Sequence, residues 1–354
     1  MSRFFSKKYE NLTPYTPGEQ PQDMQYIKLN TNESPFPPHP AVAEAVKQEV
    51  ESLRLYSDPD CKALVAKLAK QYGVAPEQVM LTNGSDDVLN FAFMAFCDEE
   101  HPAVFPDITY GFYKVFAEIN HIPYAQIPLK EDFSVDVADY CGVNKTVFIA
   151  NPNAPTGIAL SLDEIEKILK SNPNNVVVID EAYVDFGAQS AVALVEKYEN
   201  LLVVQTFSKS RSMAGARLGF AIGNKNLMAD LNTLRYSTNP YNINRMTSVA
   251  GIVTLENQAY TDKNCGIIME NRENAAKALK KLGFALTDSK SNFLFASHPA
   301  IDGKTLYTEL KRRGILVRHF DKPRISPYVR ITVGTAEQMD ALIRTIGEIL
   351  EENQ

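Results

Sequence analysis

The chain has 354 residues, 45% of them hydrophobic and 22% charged, with a formal net charge of −7. That length exceeds an ordinary single core, so two structural domains are expected, although a large α/β body with a small cap also fits; disorder is excluded. Scattered basic residues argue against nucleic acid or an anionic membrane surface as partner, and no apolar run approaches the roughly 18 residues a membrane helix needs.

The chain opens Met1-Ser2-Arg3-Phe4-Phe5-Ser6 with no apolar core or small-residue cleavage site behind it, so no secretory signal is expected and cytoplasmic residence follows by default. Cys61, Cys97, Cys141 and Cys265 lie far apart without metal-ligand spacing and read as reduced thiols. The histidines, His39, His101, His121, His298 and His319, have neither metal nor triad spacing, and no metal site is expected. Residues 1–40 are rich in proline and polar groups, as in Ser34-Pro35-Phe36-Pro37-Pro38, and read as an extended arm.

A helical pattern over 41–53 is broken by Leu55-Tyr56-Ser57-Asp58-Pro59-Asp60, and a second helix covers 62–72. Short apolar runs at 79–82, 103–105, 146–150, 176–179, 201–204 and 218–222 then alternate with helical patterns. Such alternation predicts a mainly parallel sheet flanked by helices, an α/β body over 41–245. One long helix is expected over 246–282, interrupted or bent near Gly266. Strands at 293–296, 315–318 and 328–333, with helices at 305–313 and 336–351, complete a smaller α+β domain within 246–354, with which the arm packs.

The chemistry concentrates in Gln205-Thr206-Phe207-Ser208-Lys209-Ser210-Arg211-Ser212-Met213-Ala214-Gly215-Ala216-Arg217. A lysine attacks a carbonyl only as the free amine, and Lys209, following a buried strand, is a candidate Schiff-base residue. A lone Ser-Lys pair is ordinarily a solvated loop; here the hydroxyls of Thr206 and Ser208 and the fork of Arg217 suit a phosphate dianion. A second anion-binding element is Asn83-Gly84-Ser85-Asp86, where a strand turns through glycine into a helix, although a plain N-cap would look the same. Asp180 ends an apolar strand, where an unpaired carboxylate is costly and a pyridinium nitrogen would offset the cost; the alternative is a carboxylate capping the next helix. Tyr183 could donate to a cofactor's phenolate oxygen, and Tyr110 offers a flat face for a ring or for simple packing. Gly303-Lys304-Thr305 matches the end of a P-loop, but His298 stands where its first glycine is required.

Taken in order, Asn83-Gly84-Ser85-Asp86, Tyr110, Asn151-Pro152-Asn153-Ala154-Pro155-Thr156-Gly157, Asp180-Glu181-Ala182-Tyr183, Ser208-Lys209 and Arg217 resemble the fold-type I, aspartate-aminotransferase-like enzymes that depend on pyridoxal phosphate. Within that superfamily, Leu12-Thr13-Pro14-Tyr15, Leu29-Asn30-Thr31-Asn32-Glu33-Ser34-Pro35, Tyr56 and Val329-Arg330-Ile331-Thr332-Val333-Gly334-Thr335 are similar to the histidinol-phosphate aminotransferase family. The resemblance implies Lys209 as the catalytic lysine, Asp180 at the pyridine nitrogen, Tyr183 at O3′ and Tyr110 stacked on the ring. It implies Gly84, Ser85, Asp86, Thr206, Ser208 and Arg217 around the phosphate, and a homodimer in which Tyr56 reaches the other subunit's cofactor. Arg330 is matched to the arginine that clamps the substrate carboxylate, with Tyr15, Asn32 and Arg318 as further contacts to the amino donor. Where the family commonly has Asn to hydrogen-bond O3′ this chain has Ala154, so Asn153 is the expected substitute.

The expected reaction is therefore transfer of an amino group between L-histidinol phosphate and 2-oxoglutarate, giving imidazole acetol phosphate and glutamate. An aromatic aminotransferase and a threonine-phosphate decarboxylase resemble the same scaffold. A non-catalytic module that binds the cofactor is the alternative from another class.

Overall fold

The computed structural model describes residues 2–352. The arm contributes β1 (Ile27–Lys28), followed by α1 (Pro40–Glu49), α2 (Lys62–Tyr72), β2 (Val79–Thr82), α3 (Ser85–Phe96), β3 (Ala103–Pro106), α4 (Phe112–Ile119), β4 (Tyr124–Ile127) and β5 (Thr146–Ala150). Next come α5 (Leu162–Ser171), β6 (Val177–Asp180), β7 (Leu201–Thr206), β8 (Gly219–Gly223), α6 (Lys225–Thr238), α7 (Arg245–Glu256) and α8 (Gln258–Lys281). The chain ends with β9 (Ala285–Leu286), β10 (Phe293–Ser297), α9 (Gly303–Arg312), β11 (Ile315–Leu316), β12 (Arg318–His319), β13 (Tyr328–Thr332) and α10 (Ala336–Glu352). No described helix is long and apolar enough to cross a membrane.

The large sheet has seven strands in the order β2-β8-β7-β6-β5-β3-β4. Only β8 runs against its neighbours. Every residue of β2, β3, β5, β6, β7 and β8 is buried, because apolar side chains on both faces are covered. Alternation along β6 sends Ile179 to one core, with Leu64, Ile149 and Phe220, and Val178 to the other, with Phe93, Phe148 and Leu202. The edge strand β4, absent from the sequence reading, is partly exposed, and Tyr124-Ala125-Gln126-Ile127 lacks a continuous apolar run.

Two helical expectations are corrected. The helix expected over 246–282 is two helices, and the break falls at Asn257, not at Gly266, which lies within α8. The Asn257 side chain donates to the Val253 carbonyl at 2.8 Å and its backbone leaves helical geometry at φ −113°, ψ 38°, a local competition typical of asparagine. The first helix stops at Glu49 and continues as a tighter turn, Val50–Arg54.

A second sheet, β12-β13-β10-β9, is antiparallel, and β1 pairs in parallel with β11, Ile27 opposite Ile315. The arm thus packs against the C-terminal elements, with Leu29 in a core that includes Ile331, Val333 and Leu342.

At the site end of β8, Gly219 lies between Thr82 and Thr206. A Cβ at Gly219 would stand 2.3 Å from both the Gly84 carbonyl carbon and the Ser85 nitrogen, so the turn into α3 requires glycine there. Gly219→Ala is expected to lower the unfolding free energy by about 1–3 kcal/mol in urea titrations. Gly266→Ala, inside α8 and facing open space, should raise it by about 0.5–1 kcal/mol.

Candidate active site

Parallel strands deliver their C-terminal ends to one edge, and the reversed β8 brings its N-terminal end there. Asp180 closes β6, Thr206 closes β7 just ahead of Lys209, and β2 turns through Gly84 into α3. Tyr110 follows β3, and Arg217 arrives just before β8. Around them lies a cavity of about 370 Å³, lined by Ser85, Asp86, Tyr110, Ala154, Asp180, Tyr183, Thr206, Ser208, Lys209 and Arg217.

Lys209 Nζ donates to the Thr31 carbonyl at 3.3 Å and lies 5.7 Å from the centre of the Tyr183 ring. The Tyr183 hydroxyl accepts from Asn32 Nδ2 at 2.9 Å, which leaves its own proton to donate. Asp180 is buried, and Tyr113 donates to its Oδ2 at 2.9 Å while the Ala182 amide approaches Oδ1 at 3.3 Å. Burial pushes its pKa up to about 6 against the opposing pull of the Tyr113 hydrogen bond. A cationic ring nitrogen placed there would relieve the desolvation.

Gly84 has φ +85°, and a Cβ on it would meet Arg217 Nη2 at 2.5 Å, so glycine lets the guanidinium close over the turn. Arg217 pairs with Asp86 at 3.2 Å, and the other Asp86 oxygen accepts the Tyr110 hydroxyl at 2.7 Å, fixing that ring. Thr206 Oγ1 donates to Ser208 Oγ at 3.0 Å and accepts from the Ser208 amide at 3.1 Å. A guanidinium, hydroxyls and the start of a twelve-residue helix together suit a phosphate dianion. A lysine, a buried acid and this cradle in one cavity fit pyridoxal phosphate.

Arg330 lies directly opposite Arg318 across β12 and β13. Its Nη2 donates to the Asn30 carbonyl at 3.1 Å, and it sits over Phe293 and Phe320 at 5.4 and 5.5 Å. Burial draws its pKa below the usual arginine value, and its Nε is buried without a hydrogen-bond partner among the described residues. Arg318 donates to the Thr16 and Pro17 carbonyls of the arm. Tyr15 stacks on Phe112 at 4.2 Å, 6.5 Å from Tyr110, and burial raises its pKa against the pull of Arg330 and Arg318.

Two sequence expectations change. Asn153 does not face the cavity: its amide donates to the Ile108 carbonyl and Thr156 and accepts from Thr109, so both ends are spent in bracing a loop. Ala154 lines the cavity instead. Asn32 is buried behind Tyr183, its carbonyl oxygen taken by Thr332 at 3.1 Å, and it orients the tyrosine in place of a donor substrate. Tyr56 lies outside the cavity, 79% exposed and stacked on Tyr241 at 4.5 Å. Tyr113, in the first turn of α4 three residues after Tyr110, and Thr31, whose carbonyl holds Lys209, were not expected from the sequence, and neither carries a local signal.

Residues 24–346 match the family model for aminotransferase class I and II. The chain is 48% identical over 353 residues to a histidinol-phosphate aminotransferase of Brachyspira hyodysenteriae, covering 99% of this chain and 100% of the relative. It is 52% identical over 346 residues to one from Marinomonas sp., covering 97% and 98%. The histidinol-phosphate aminotransferase of Sinorhizobium meliloti, solved with pyridoxal 5′-phosphate, has the same fold at TM-score 0.86 and 22% identity, covering 93% of this chain and 92% of that one. So does an L-threonine-O-3-phosphate decarboxylase from Porphyromonas gingivalis, at 0.81 and 22%, covering 92% and 99%; the fold alone therefore does not select the reaction.

Because the Asp180 pKa is raised from an ordinary 3.8 to about 6, the folded cofactor-free protein holds this proton more tightly than the unfolded chain. The stability it contributes is present below pH 4 and is lost as pH rises toward 6, by about 3 kcal/mol. Asp180→Asn should remove that slope, so the stability of the variant minus wild type, measured by denaturant titration after removal of the cofactor, rises between pH 4 and 7.

Proposed function

We infer the function from one premise: the chain belongs to the class I and II aminotransferase family. It transfers the amino group of L-histidinol phosphate to 2-oxoglutarate, giving imidazole acetol phosphate and L-glutamate, a step of histidine biosynthesis. The observation that carries the chemistry is the convergence of Lys209, Asp180, Tyr183 and Arg217 on one cavity. The choice of donor is supported by full-length relatives at 48% and 52% identity.

The electron sink for the negative charge that develops at the amino-bearing carbon is supplied by bound pyridoxal phosphate. Arg217, Ser85, Thr206 and Ser208, with the backbone at Gly84 and Asp86, would hold its phosphate, and Asp180 would keep its ring nitrogen protonated. Tyr183 would donate to its ring oxygen, and Tyr110, held by Asp86, would cover its face. Lys209 Nζ would be the base that moves the proton at the amino-bearing carbon of the substrate. Arg330, partnered by Arg318 and Tyr15, receives either the carboxylate of glutamate or the phosphate of histidinol phosphate, so one fork serves two anions.

The arm 1–40, body 41–245 and C-terminal part 246–354 are working units, supported by the separation of the seven-stranded sheet from the four-stranded sheet and by the pairing of the arm with β11. The same reading includes a homodimer, supported by the exposed Tyr56 and Tyr241 pair outside the cavity. Cytoplasmic residence is in keeping with four unpaired cysteines.

L-Histidinol phosphate added to the holoenzyme without an oxo acid should convert the cofactor absorbance from its aldehyde to its amine form, 2-oxoglutarate should restore it, and double-reciprocal plots should be parallel. Carbon dioxide release from phosphothreonine would instead identify a decarboxylase. For the dimer, mixing Lys209→Ala and Tyr56→Phe chains should restore activity above that of either variant, since one mixed site keeps both residues; no recovery would remove Tyr56 from the shared site.

A further inference from the structure

Behind the cavity lies a buried polar chain with no part in the chemistry above. Arg211, just beyond Lys209, is 3% exposed, and its guanidinium stacks over Phe207 and Phe220 at 5.0 and 5.8 Å. Its Nη2 donates to the Tyr72 hydroxyl at 3.0 Å. Tyr72 donates to Gln205 Oε1, and Gln205 Nε2 donates to Glu181 at 2.8 Å. Every bond points the same way, from the guanidinium to the carboxylate, so each polarises the next. Glu181 also accepts from Ser190 and the Ala191 amide, and burial pushes its pKa up to about 7.

The termini of this chain bear on the reacting groups. Glu181 adjoins Asp180 at the end of β6, and Gln205 lies on β7, the strand that leads to Lys209. A second clamp acts on the lysine's own loop: Ser210 and Arg211 both donate to Asp185 Oδ2, the latter at 3.3 Å. A buried cation with two fixed partners costs desolvation that surface residues avoid. A lysine that must reach a carbon atom within a few tenths of an ångström needs such support.

We propose that Arg211 is a positioning residue for Lys209, tying the loop that carries the lysine, through Asp185 on one side and Tyr72-Gln205-Glu181 on the other, to the strand end that carries Asp180. The proposal rests on Lys209 being the reacting lysine. Arg211 touches neither cofactor nor substrate; it fixes the distance between the two residues that do.

The test uses holoenzyme carrying Arg211→Met, Arg211→Lys or Tyr72→Phe. Borohydride reduction, followed by mass mapping, reads how much cofactor is bonded to Lys209 at equal cofactor content, whatever the true amino donor. Stopped-flow half-reactions with L-histidinol phosphate and its Cα-deuterated form read the proton-transfer step. Arg211→Met is expected to lower the trapped fraction, slow the half-reaction by about 10²-fold and raise the isotope effect, with the apparent donor affinity changed by less than about threefold. Arg211→Lys should fall between, because an ammonium can face Asp185 without reproducing the two-armed fork. Tyr72→Phe, which removes only a hydroxyl, should shift the same readouts in the same direction and stands in if Arg211→Met does not fold. A slowed reaction with unchanged trapping and isotope effect, or rates within about threefold of wild type, overturns the proposal. If the wild type shows no half-reaction with histidinol phosphate, the functional reading falls while trapping still decides the role of Arg211.

Discussion

The site is organised around a carboxylate that folding almost entirely buries. Asp180 stands at the end of a strand whose every residue is buried, with a tyrosine hydroxyl and a backbone amide as its hydrogen-bond donors. Burial raises its affinity for a proton, and a cation in the cavity would reverse that. Burying an acid without a matching cation is unfavourable for a folded chain by itself. The arrangement makes sense as one half of an interaction whose other half is a protonated ring, so folding leaves a demand that binding meets.

The large sheet explains why distant residues serve that acid. Six of its seven strands run one way, so their ends, and the turns that follow, share an edge. The reversal of β8 places Arg217 at that edge as well, and the glycine that opens β8 lets the two phosphate-side turns nearly touch. Close backbone approach thus shapes that edge as much as side-chain charge does. Arg318 and Arg330 belong to the other sheet, whose strands pack in a separate core.

What the sequence made legible follows from this geometry. Strand ends at Asp180 and Thr206 could be read because buried parallel strands are continuous apolar runs, and the residues just past them must lie at the ligand edge. In the small sheet β10 and β13 were legible from their apolar runs, and the arm from its prolines, but β9 was not, and the strand expected at 315–318 is divided between β11 and β12, which pair in different sheets. Contacts made by side chains from elsewhere were not legible. Whether Asn153 or Ala154 faces the cavity depends on a loop whose direction is set by Ile108 and Thr109, far away in sequence, together with nearby Thr156. The hydroxyl that Tyr113 lends to Asp180, and the tie from Asn32 to Tyr183 across the chain, leave no local pattern. The end of α7 at Asn257 has no glycine to mark it, because an asparagine side chain competing for a backbone carbonyl makes the break.

The arm joins these parts into a single lever. Beyond β1, the Leu29 carbonyl accepts from the Thr332 amide, the Asn30 carbonyl accepts from Arg330, and the Asn32 amide donates to the Thr332 hydroxyl. Between them sits Thr31, whose carbonyl holds Lys209 Nζ. The acceptor of Lys209 Nζ and the acceptor of the Arg330 guanidinium are therefore the carbonyls of adjacent residues, Thr31 and Asn30. A displacement of either side chain is felt one residue away from the other's hydrogen bond.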